Sequence, residues 1–450
     1  MQPSWIDVDE ARDKILSFLD VLEAEEKPLL DCLGQVLARD VRSEIDIPPL
    51  DNAAMDGYAV RSADLAGASE ETPRRLRVIE EVPAGSVPQR RIEPGDAARI
   101  MTGAPVPAGA DTVVQFELTD EVDRRSAGDG ALVEVGVRSA IGPGLNIRRA
   151  GEDVARGALI LRRGTVIRPA EAGVLASLGL AVAPVIRRPV VAILSTGDEL
   201  LEPGEPAQLG KIYNSNTTSV AGLILRYGGI PKLLGIARDQ AGDLSAKIRA
   251  GLQADLLVTS AGVSLGDYDI VKNVLAQEGE IAFWTVRIKP GKPLAFGVLT
   301  ERRPDGSTRR IPHLGLPGNP VASMVAFEQF GRPALLKMLG KTVFEKPVVT
   351  AVLEDTIPNR DGRRYFVRGR VRWEAGAYHV RTTGPQGSGI LTSMAQANCL
   401  IVVPDGVTEV CPGTPIRVQM LDWGDEYWVD GTVPTRAGAP AIGPDATEDR

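Results

Sequence analysis

The sequence predicts a multidomain protein that combines α/β and all-β parts. A chain of 450 residues with 43% hydrophobic content can bury several cores. Apolar strands alternate with amphipathic helices from residue 187 to 341, which predicts a central, doubly wound parallel sheet with helices on both faces. Short β-type runs on either side of this region predict an inserted β-rich domain and a C-terminal β-barrel.

The first segment predicts a helical domain in two pieces, residues 1–50 and 145–186. In "SWIDVDEARDKILSFLDVL" the apolar residues recur at helical spacing, and Asp7 or Asp9 can cap the start of the helix. "GVLASLGL" predicts a helix in the second piece as well. We therefore expect the two pieces to form one discontinuous helical and linking domain.

The remaining domain boundaries are predicted from changes in the hydrophobic pattern and in the turn residues along the chain. "LRVIEEV", "AARIM", "DTVVQFEL" and "LVEVGV" are short β-type runs separated by turn residues, which predicts a β-rich domain over residues 51–144. "RRYFVRGRVRW", "NCLIVVPD" and "TPIRVQML" predict a small barrel over residues 342–424. The Pro-, Ala- and Gly-rich residues 425–450 predict a disordered tail.

Composition excludes several classes of function. The formal charge of −8 argues against nonspecific nucleic-acid binding, which needs a basic surface. With only 2 histidines and 3 widely spaced cysteines, the chain is a poor candidate for a zinc site or a His-based catalytic triad. The acidic N-terminus does not resemble a secretory signal, and no apolar segment is long enough to span a bilayer. We expect a cytoplasmic protein that binds neither nucleic acid nor membrane.

Polar residues collect where the predicted parallel strands end, which is where ligands bind in a doubly wound sheet. Carboxylates follow three consecutive strands: Asp198, Glu199, Asp239, Asp267 and Asp269. The same edge receives small residues whose amides and hydroxyls suit phosphate oxygens: Ser195, Thr196, Gly197, Ser260, Gly262 and Ser264. Such a mixture predicts a Mg²⁺ ion shared with substrate phosphates. Taken alone, each aspartate is also explained by a helix cap or a solvated turn, and Asp269 could simply cap "IVKNVL".

Two further loops carry groups suited to anions. "IKPGKPLAFG" presents Lys289 and Lys292 on a loop stiffened by prolines, although a solvent-facing basic hairpin is an alternative. "LPGNP" opens a helix, where Gly318 and Asn319 offer backbone amides to an anion or merely cap the helix. "DNAAMDGYAV", "RIMTGAPVPAGAD" and "NIRRAGED" are, by composition alone, ordinary turns and loops.

Together these motifs resemble the MoeA family of molybdopterin molybdenumtransferases, which includes the gephyrin E domain. The matching stretches are "PPLDNAAMDGYAV", "RIMTGAPVPAGAD", "NIRRAGED", "ILSTGDEL", "TSAGVSLGDYD", "IKPGKPLAFG", "LPGNP" and "TTGPQGSG". They occur in the family's order and extend from about residue 10 to 422. The resemblance implies a central α/β domain of the molybdopterin-binding type.

The resemblance also implies a reaction and an assembly. Family members take adenylylated molybdopterin and molybdate, cleave the nucleotide in a Mg²⁺-dependent step, and release AMP and molybdenum cofactor. A homodimer is implied, with the active cleft between the α/β domain of one subunit and the β-rich domain of the other. Transient contacts with molybdopterin adenylyltransferase and with enzymes that accept the cofactor are implied as well.

Carried over by motif position, the resemblance implies a set of site residues. The catalytic residues are Asp56, Thr102, Asp153, Glu199, Asp239 and Asp269, of which Glu199, Asp239 and Asp269 hold Mg²⁺ or position water at the phosphoanhydride. The substrate-binding residues are Arg148, Ser260, Gly262, Ser264, Lys289, Lys292, Pro317, Gly318, Asn319, Pro320 and Ser388. Among them the lysines neutralise molybdate and phosphate charge, Pro317 and Pro320 shape the pterin wall, and Ser388 contacts molybdate.

The chain departs from the family pattern at two places. Ala150 stands where a third basic residue is common, so anion binding there is weaker or depends on Arg149 alone. Asn214 and Thr217 stand where an acidic and a basic residue are common, and what the family's residues contribute is in doubt here.

Two other functions compete with metal insertion. A molybdopterin adenylyltransferase has a similar α/β domain, but it lacks the β-rich domain and the barrel. A non-catalytic scaffold of the gephyrin kind is the other alternative, and here no fused partner domain or long interaction linker is visible.

Overall fold

The computed structural model of the chain describes residues 5–128, 132–238, 240–261, 279–302 and 305–422. These residues form two compact units. The catalytic unit contains the chain up to Glu26, Gly34–Val36 and the chain from Pro184 onward, and the inserted unit contains Lys27–Leu33 and Leu37–Ala183. The predicted tail, residues 425–450, and the predicted helix "DIVKNVLAQEG" lie outside the described residues.

The strands are numbered in chain order. They are β1 Trp5–Ile6, β2 Ala24–Pro28, β3 Val41–Arg42, β4 Asn52–Ala53, β5 Gly57–Val60, β6 Arg74–Val82, β7 Asp96–Ile100, β8 Thr112–Gln115, β9 Glu134–Val137, β10 Ile147–Arg148, β11 Leu159–Leu161, β12 Val182–Ile186, β13 Val190–Thr196, β14 Leu200–Leu201, β15 Ile212–Tyr213, β16 Ile230–Ala237, β17 Leu256–Ser260, β18 Gly279–Val286, β19 Ile288–Lys289, β20 Pro293–Arg302, β21 Thr308–Leu316, β22 Val348–Leu353, β23 Ile357–Pro358, β24 Arg364–Glu374, β25 Ala377–Thr382, β26 Cys399–Val403, β27 Glu409–Val410 and β28 Pro415–Met420.

The helices are numbered in the same way. They are α1 Val8–Ser17, α2 Glu121–Ser126, α3 Pro169–Ser177, α4 Ser215–Arg226, α5 Ala241–Gly251, α6 Pro320–Ala326, α7 Arg332–Met338 and α8 Leu391–Ala395. A π-helical turn, Phe327–Gly331, joins α6 to α7, and short 3₁₀ turns occupy Leu29–Cys32, Ser62–Leu65 and Phe116–Leu118. None of the helices in the described part of the chain is long and apolar enough to cross a bilayer.

The catalytic unit is built on a seven-stranded sheet in the order β1–β18–β20–β21–β17–β13–β16. Strand β20 is antiparallel to both neighbours, and every other adjacent pair is parallel. The sequence had predicted a parallel sheet, whereas the observed sheet is mixed, with one antiparallel strand. The reason is the length of the connections on either side of β20, which are too short for the crossover that a parallel partner needs.

Both faces of this sheet are covered, as a doubly wound fold requires. On β13, Val191 and Ile193 belong to the core that α4 covers, whereas Ala192 and Leu194 belong to the core that α5 covers. Alternate residues of a strand point to opposite faces, so this division confirms the predicted two-sided packing.

The N-terminal helix packs into the catalytic unit. Val8, Ala11 and Ile15 of α1 are buried in the same core as α4 and β13. Asp7 occupies the N-cap position, as predicted, but its side chain makes no capping hydrogen bond. The segments predicted as a helical domain contain α1 and α3, and they also contain short strands that the sequence analysis did not predict. The domain boundaries as such stay a prediction.

The two β-rich parts have the predicted character. The inserted unit contains a five-stranded sheet in the order β8–β5–β7–β6–β9, and β6, β7, β8 and β9 coincide with the four predicted β-type runs. Strand β5 was not predicted, because it lies in the stretch "DNAAMDGYAV", which the sequence alone indicated to be a loop. In the C-terminal part, β24, β25, β22, β28 and β26 pair in this order, and β26 pairs again with β24, which closes a five-stranded barrel. The predicted barrel is thus confirmed.

A buried carboxylate ties together the chain segments that lead into the central strands. Asp255 is 7% exposed and accepts hydrogen bonds from Arg187 (2.6 and 2.8 Å), from Arg309 (2.6 Å) and from the amide of Val190 (2.9 Å). Burial by itself raises the pKa of Asp255, but the hydrogen bonds from Arg187 and Val190 outweigh it and leave the pKa below its usual value.

We predict that Asp255→Ala lowers the free energy of unfolding by about 3–5 kcal/mol, because two arginines then lose a buried partner. Since the pKa is lower in the folded protein, the stabilisation is complete at neutral pH and is lost as the pH falls below about 4. Urea denaturation at pH 7 and pH 3.5 measures both effects. Asp20→Ala, at an exposed position, is the control, and equal loss in the two variants would contradict the prediction.

Candidate active site

A cleft of about 880 Å³ lies at the edge of the central sheet where its parallel strands end, between that edge and the barrel. Strands β13 and β17 reach it with Thr196 and Ser260, the residues expected there for a doubly wound sheet. The other polar residues of its lining are Glu199, Tyr213, Asn214, Ser215, Asn216, Lys289, Lys292, Asn319, Arg363, Tyr365, Gln386 and Ser388. The cleft thus combines cationic and polar side chains, and it includes Glu199 and Ser260 of the predicted strand-end residues.

The loop between β18 and β20, which we term the lysine loop, belongs to both walls of the cleft. Its strand β19 leaves the central sheet and pairs with barrel strand β24, with Ile288 opposite Arg364 and Lys289 opposite Tyr365. The loop then returns through Gly291, whose φ of +103° is one that residues with a side chain rarely adopt. Both lysines are therefore held on backbone that is fixed at each end.

The two ammonium groups are supported by aromatic rings. Lys289 Nζ lies 4.2 Å from the centre of the Tyr365 ring, and Lys292 Nζ lies 4.9 Å from the centre of the Trp5 ring. No described carboxylate lies within ion-pair distance of either lysine. Because a ring attracts a cation without neutralising it, both charges stay available to an anion.

The "LPGNP" turn leads directly into α6, as predicted. Pro320 is the first residue of α6 and Asn319 is its N-cap, but the Asn319 side chain makes no capping bond. The amide of Val321, in the first turn, donates to the carbonyl of Ser388 (3.0 Å). One helix-start amide therefore attaches the barrel to the cleft, while Pro317, Gly318, Asn319 and Pro320 line it as predicted.

Asn216 connects three segments of the cleft, and the sequence analysis did not identify it. Its side-chain amide donates to Ser260 Oγ (2.7 Å) and to the Gly318 carbonyl (2.7 Å). Since a carbonyl can only accept, this contact fixes which end of the Asn216 side chain carries the NH₂ group. The start of α4, the end of β17 and the "LPGNP" turn are joined through this one residue.

Asn214 and Thr217, the second departure from the family pattern, lie together in a buried, neutral network. Ser195 Oγ donates to Asn214 Oδ1 (3.0 Å) and lies 2.9 Å from Thr217 Oγ1, and Asn214 Nδ2 donates to Thr217 Oγ1 (2.9 Å). Asn214 is also the N-cap of α4, since its side chain accepts from the Thr217 amide. These residues hold the end of β13 against the start of α4.

Glu199 is the one predicted metal ligand that the structure describes, and it lines the cleft with an exposed side chain. Gly197, with φ +140°, makes room for it, because a Cβ there would lie 2.3 Å from a carboxylate oxygen of Glu199. The other strand-end residues Asp239, Gly262, Ser264, Asp267 and Asp269 lie outside the described residues. Within the described part, no group of three or more His, Cys, Asp or Glu side chains is placed to hold a metal ion.

The barrel contributes Arg363, Tyr365, Gln386 and Ser388, of which only Ser388 was predicted. Arg363 donates from Nη1 to the Ile288 carbonyl (3.1 Å) and from Nε to Asp361 (3.0 Å). These bonds from Arg363 hold the pKa of the Asp361 carboxyl below its usual range. The arginine-rich run "GRRYFVRGR" is visible in the sequence, but it was interpreted only as a barrel strand.

The other predicted residues lie in the inserted unit. Asp56 Oδ1 accepts from the amide (2.6 Å) and the hydroxyl (2.7 Å) of Thr102, and these bonds lower its pKa. Arg148 lies on β10 and Asp153 is exposed on the loop that follows.

Beside the Ala150 departure, Arg149 pairs with Asp51 (2.6 Å), which also accepts from the Ala150 amide (2.8 Å). Asp51 therefore neutralises the charge of Arg149, the residue that would have to replace the missing basic residue.

Three family models match consecutive parts of the chain. "MoeA N-terminal region (domain I and II)" matches residues 6–179, "Probable molybdopterin binding domain" matches 192–337, and "MoeA C-terminal region (domain IV)" matches 350–421.

Several relatives are similar to this chain over most of their length. Molybdopterin molybdenumtransferase 2 of Mycobacterium tuberculosis is 39% identical over 398 residues, which is 87% of this chain and 93% of the relative. Molybdopterin molybdenumtransferase of Bacillus subtilis is 34% identical over 418 residues, 92% of this chain and 94% of the relative. The crystal structure of the molybdopterin biosynthesis MoeA protein of Pyrococcus horikoshii has a TM-score of 0.77 at 31% identity, covering 93% of this chain and 100% of that one.

We predict that Asn214→Ala destabilises the protein by about 1–2 kcal/mol, because it removes an N-cap and leaves the Ser195 and Thr217 hydroxyls short of partners. Thermal unfolding measures this loss. Thr218→Ala, an exposed change in the same helix turn, should have little effect. Equal melting temperatures for Asn214→Ala and the parent would show that the network does not stabilise the site.

Proposed function

The chain belongs to the MoeA family of molybdopterin molybdenumtransferases, which insert molybdenum during molybdenum cofactor biosynthesis, and from this premise we propose how its cleft acts. The proposed substrates are molybdate and adenylylated molybdopterin, and the proposed reaction depends on Mg²⁺ and releases AMP. The observation that carries this proposal is a pair of lysines that have no carboxylate partner among the described residues. They are held on a loop that lines the same cleft as the strand-end polar groups.

Molybdate is a compact dianion, and the end of the cleft formed by the lysine loop and the barrel suits it. Lys289 and Lys292 provide two positive charges, and Arg363 and Ser388 provide further donors from the barrel. Inside a cleft, charges interact more strongly than in bulk water because the effective dielectric constant is lower. We assign molybdate binding to these four residues.

The carboxylates that follow the central strands suit Mg²⁺. Magnesium in phosphoryl-transfer sites takes one or two carboxylates and completes its coordination with water and substrate phosphates. Glu199 meets the first requirement, since its carboxylate is exposed at the cleft, and we assign the ion to Glu199 together with Asp239 and Asp269. When bound, Mg²⁺ neutralises charge on the phosphate oxygens.

The protein's own contribution is placement and charge rather than a nucleophile. Ser260, fixed by Asn216, and the "LPGNP" turn would orient the substrate phosphates, and the lysines would stabilise negative charge that develops as AMP leaves. Pro317 and Pro320 would form the wall against which the pterin lies.

We infer a homodimer in which Asp56, Thr102, Arg148 and Asp153 of the inserted unit serve the cleft of the partner subunit. Sedimentation velocity tests the dimer, and a monomer would contradict it.

Transient contacts with molybdopterin adenylyltransferase and with cofactor-accepting enzymes follow from the same function. A cytoplasmic location agrees with three free cysteines, Cys32, Cys399 and Cys411.

The test is AMP release from adenylylated molybdopterin, followed by chromatography. We expect AMP release to require both molybdate and Mg²⁺, and molybdenum cofactor to form in equal amount. Consumption of ATP with plain molybdopterin would instead indicate an adenylyltransferase, and no turnover of either substrate would indicate a scaffold.

Two variants assign the roles within this assay. Lys292→Met should raise the KM for molybdate at least about tenfold, since it removes one charge from the oxyanion site. Glu199→Gln should raise the Mg²⁺ concentration needed for half-maximal rate, while Glu202→Gln, on the segment that follows, should not. An unchanged Mg²⁺ dependence in Glu199→Gln would remove Glu199 from the metal site.

A further inference from the structure

One charged residue near the cleft is completely buried and has no role in the function proposed above. Arg368 lies on β24, with 0% of its surface exposed. Its guanidinium donates to Ser393 Oγ (3.0 Å) and to the carbonyls of Gln386 (3.2 Å), Gly387 (3.0 Å) and Pro385 (3.4 Å). Three consecutive carbonyls of the barrel loop that carries Ser388 are thus turned toward a single side chain.

The backbone of Arg368 binds the same loop. Its amide donates to Gln386 Oε1 (2.9 Å), and its carbonyl accepts from the Thr383 amide (3.0 Å) and from Gln386 Nε2 (3.2 Å). Ser393, which contacts the guanidinium, donates in turn to the Ile390 carbonyl (2.7 Å). The loop from Thr383 to Ile390, which we term the serine loop, is therefore organised around one residue of β24.

The serine loop presents unused donors to the cleft. Ser388 and Gly389 both line the cleft. Their backbone amides donate to no acceptor among the described residues, whereas the carbonyls just before them are taken up by Arg368. Successive backbone amides that lack protein acceptors form a typical site for an anion.

The charge of Arg368 is not compensated by a carboxylate. All its partners are neutral, and within the described residues no carboxylate lies within ion-pair distance of the guanidinium. Burial lowers its pKa, yet an arginine stays protonated at neutral pH. A buried positive charge without a counter-ion is unfavourable, and an anion bound on the other side of the serine loop would offset this cost.

We propose that Arg368 is a positioning residue for the oxyanion, which turns the carbonyls of the serine loop inward so that the Ser388 and Gly389 amides bind molybdate. Its buried charge adds to the attraction of the two lysines from beneath the loop. The inference rests on the proposed function, and it extends the molybdate site to backbone donors and to a residue that molybdate does not touch.

The guanidinium is required for its shape as well as its charge. Arginine places five N–H donors in a flat fork, which can serve four acceptors in different directions. A lysine at this position keeps the charge but has donors on only one nitrogen, so it cannot hold three carbonyls and Ser393 together. Arg368→Lys therefore separates geometry from charge.

The experiment measures molybdate binding and turnover in the full-length protein. In Arg368→Lys we expect the KM for molybdate to rise about tenfold, with kcat at saturating molybdate and the KM for adenylylated molybdopterin within about twofold of the parent. Calorimetric titration with molybdate alone should show the same loss of affinity. Arg372→Lys is the matched control, because Arg372 lies on the same strand but pairs with Glu354 (2.6 Å).

Ser393→Ala is a second, milder variant, which tests the same role if Arg368→Lys fails to fold. It removes only the hydrogen bond to Arg368 Nε and the bond to Ile390, and it leaves the charge and the cleft lining intact. We expect a smaller rise in the KM for molybdate, about two- to threefold, with a thermal unfolding midpoint close to that of the parent.

The outcomes separate the inference from the function on which it rests. If the parent protein releases no AMP, the proposed function fails. If the parent is active and both Arg368→Lys and Ser393→Ala keep the parental KM and affinity for molybdate, the positioning role is overturned. A fall in kcat without any change in molybdate affinity would also overturn it, since that result indicates disruption of the chemistry rather than of oxyanion binding.

Discussion

The cleft depends on the pairing of two residues of the lysine loop with one barrel strand. Ile288 and Lys289 lie between two strands of the central sheet, yet their backbone pairs with Arg364 and Tyr365 of β24. This small ladder joins the sheet edge to the barrel and places the lysines where both meet. The Val321 amide bonded to the Ser388 carbonyl forms a second connection across the same gap. Neither wall alone would give a cavity that brings strand-end donors, lysines and barrel residues together.

The charges of the cleft differ from those elsewhere in the catalytic unit. Several of its arginines pair with carboxylates: Arg187 and Arg309 share Asp255, and Arg372 pairs with Glu354. In the cleft, by contrast, Lys289 and Lys292 are supported by aromatic rings, which attract a cation without cancelling its charge. An acidic chain with a formal charge of −8 can therefore still present a local site for a dianion.

Buried polar networks hold the residues that line this site. Ser195, Asn214 and Thr217 satisfy one another behind the end of β13, and Asn216 joins the neighbouring loops. Arg368 does the same on the barrel side with a full set of donors. A group displaced from such a network loses a hydrogen bond in a medium of low dielectric constant, so the networks restrict the positions of the residues that line the site. The departure at Asn214 and Thr217 thus forms a neutral network, which contains no charge that needs a counter-ion.

The sequence by itself determined the layered α/β core, the β-rich insert, the barrel and most of the loops that face the cleft. It could do so because strand and helix periodicity, turn residues and strand-end position are local properties of the chain. Only the tertiary structure decided the entry of Arg363, Tyr365 and Gln386 into the site. It also decided that Asn216 and Arg368 hold the cleft loops in place. These features arise from pairing between segments distant along the chain, and the physical reason is that a hydrogen-bond partner or a shared cavity is a property of two surfaces, which no single stretch of sequence contains.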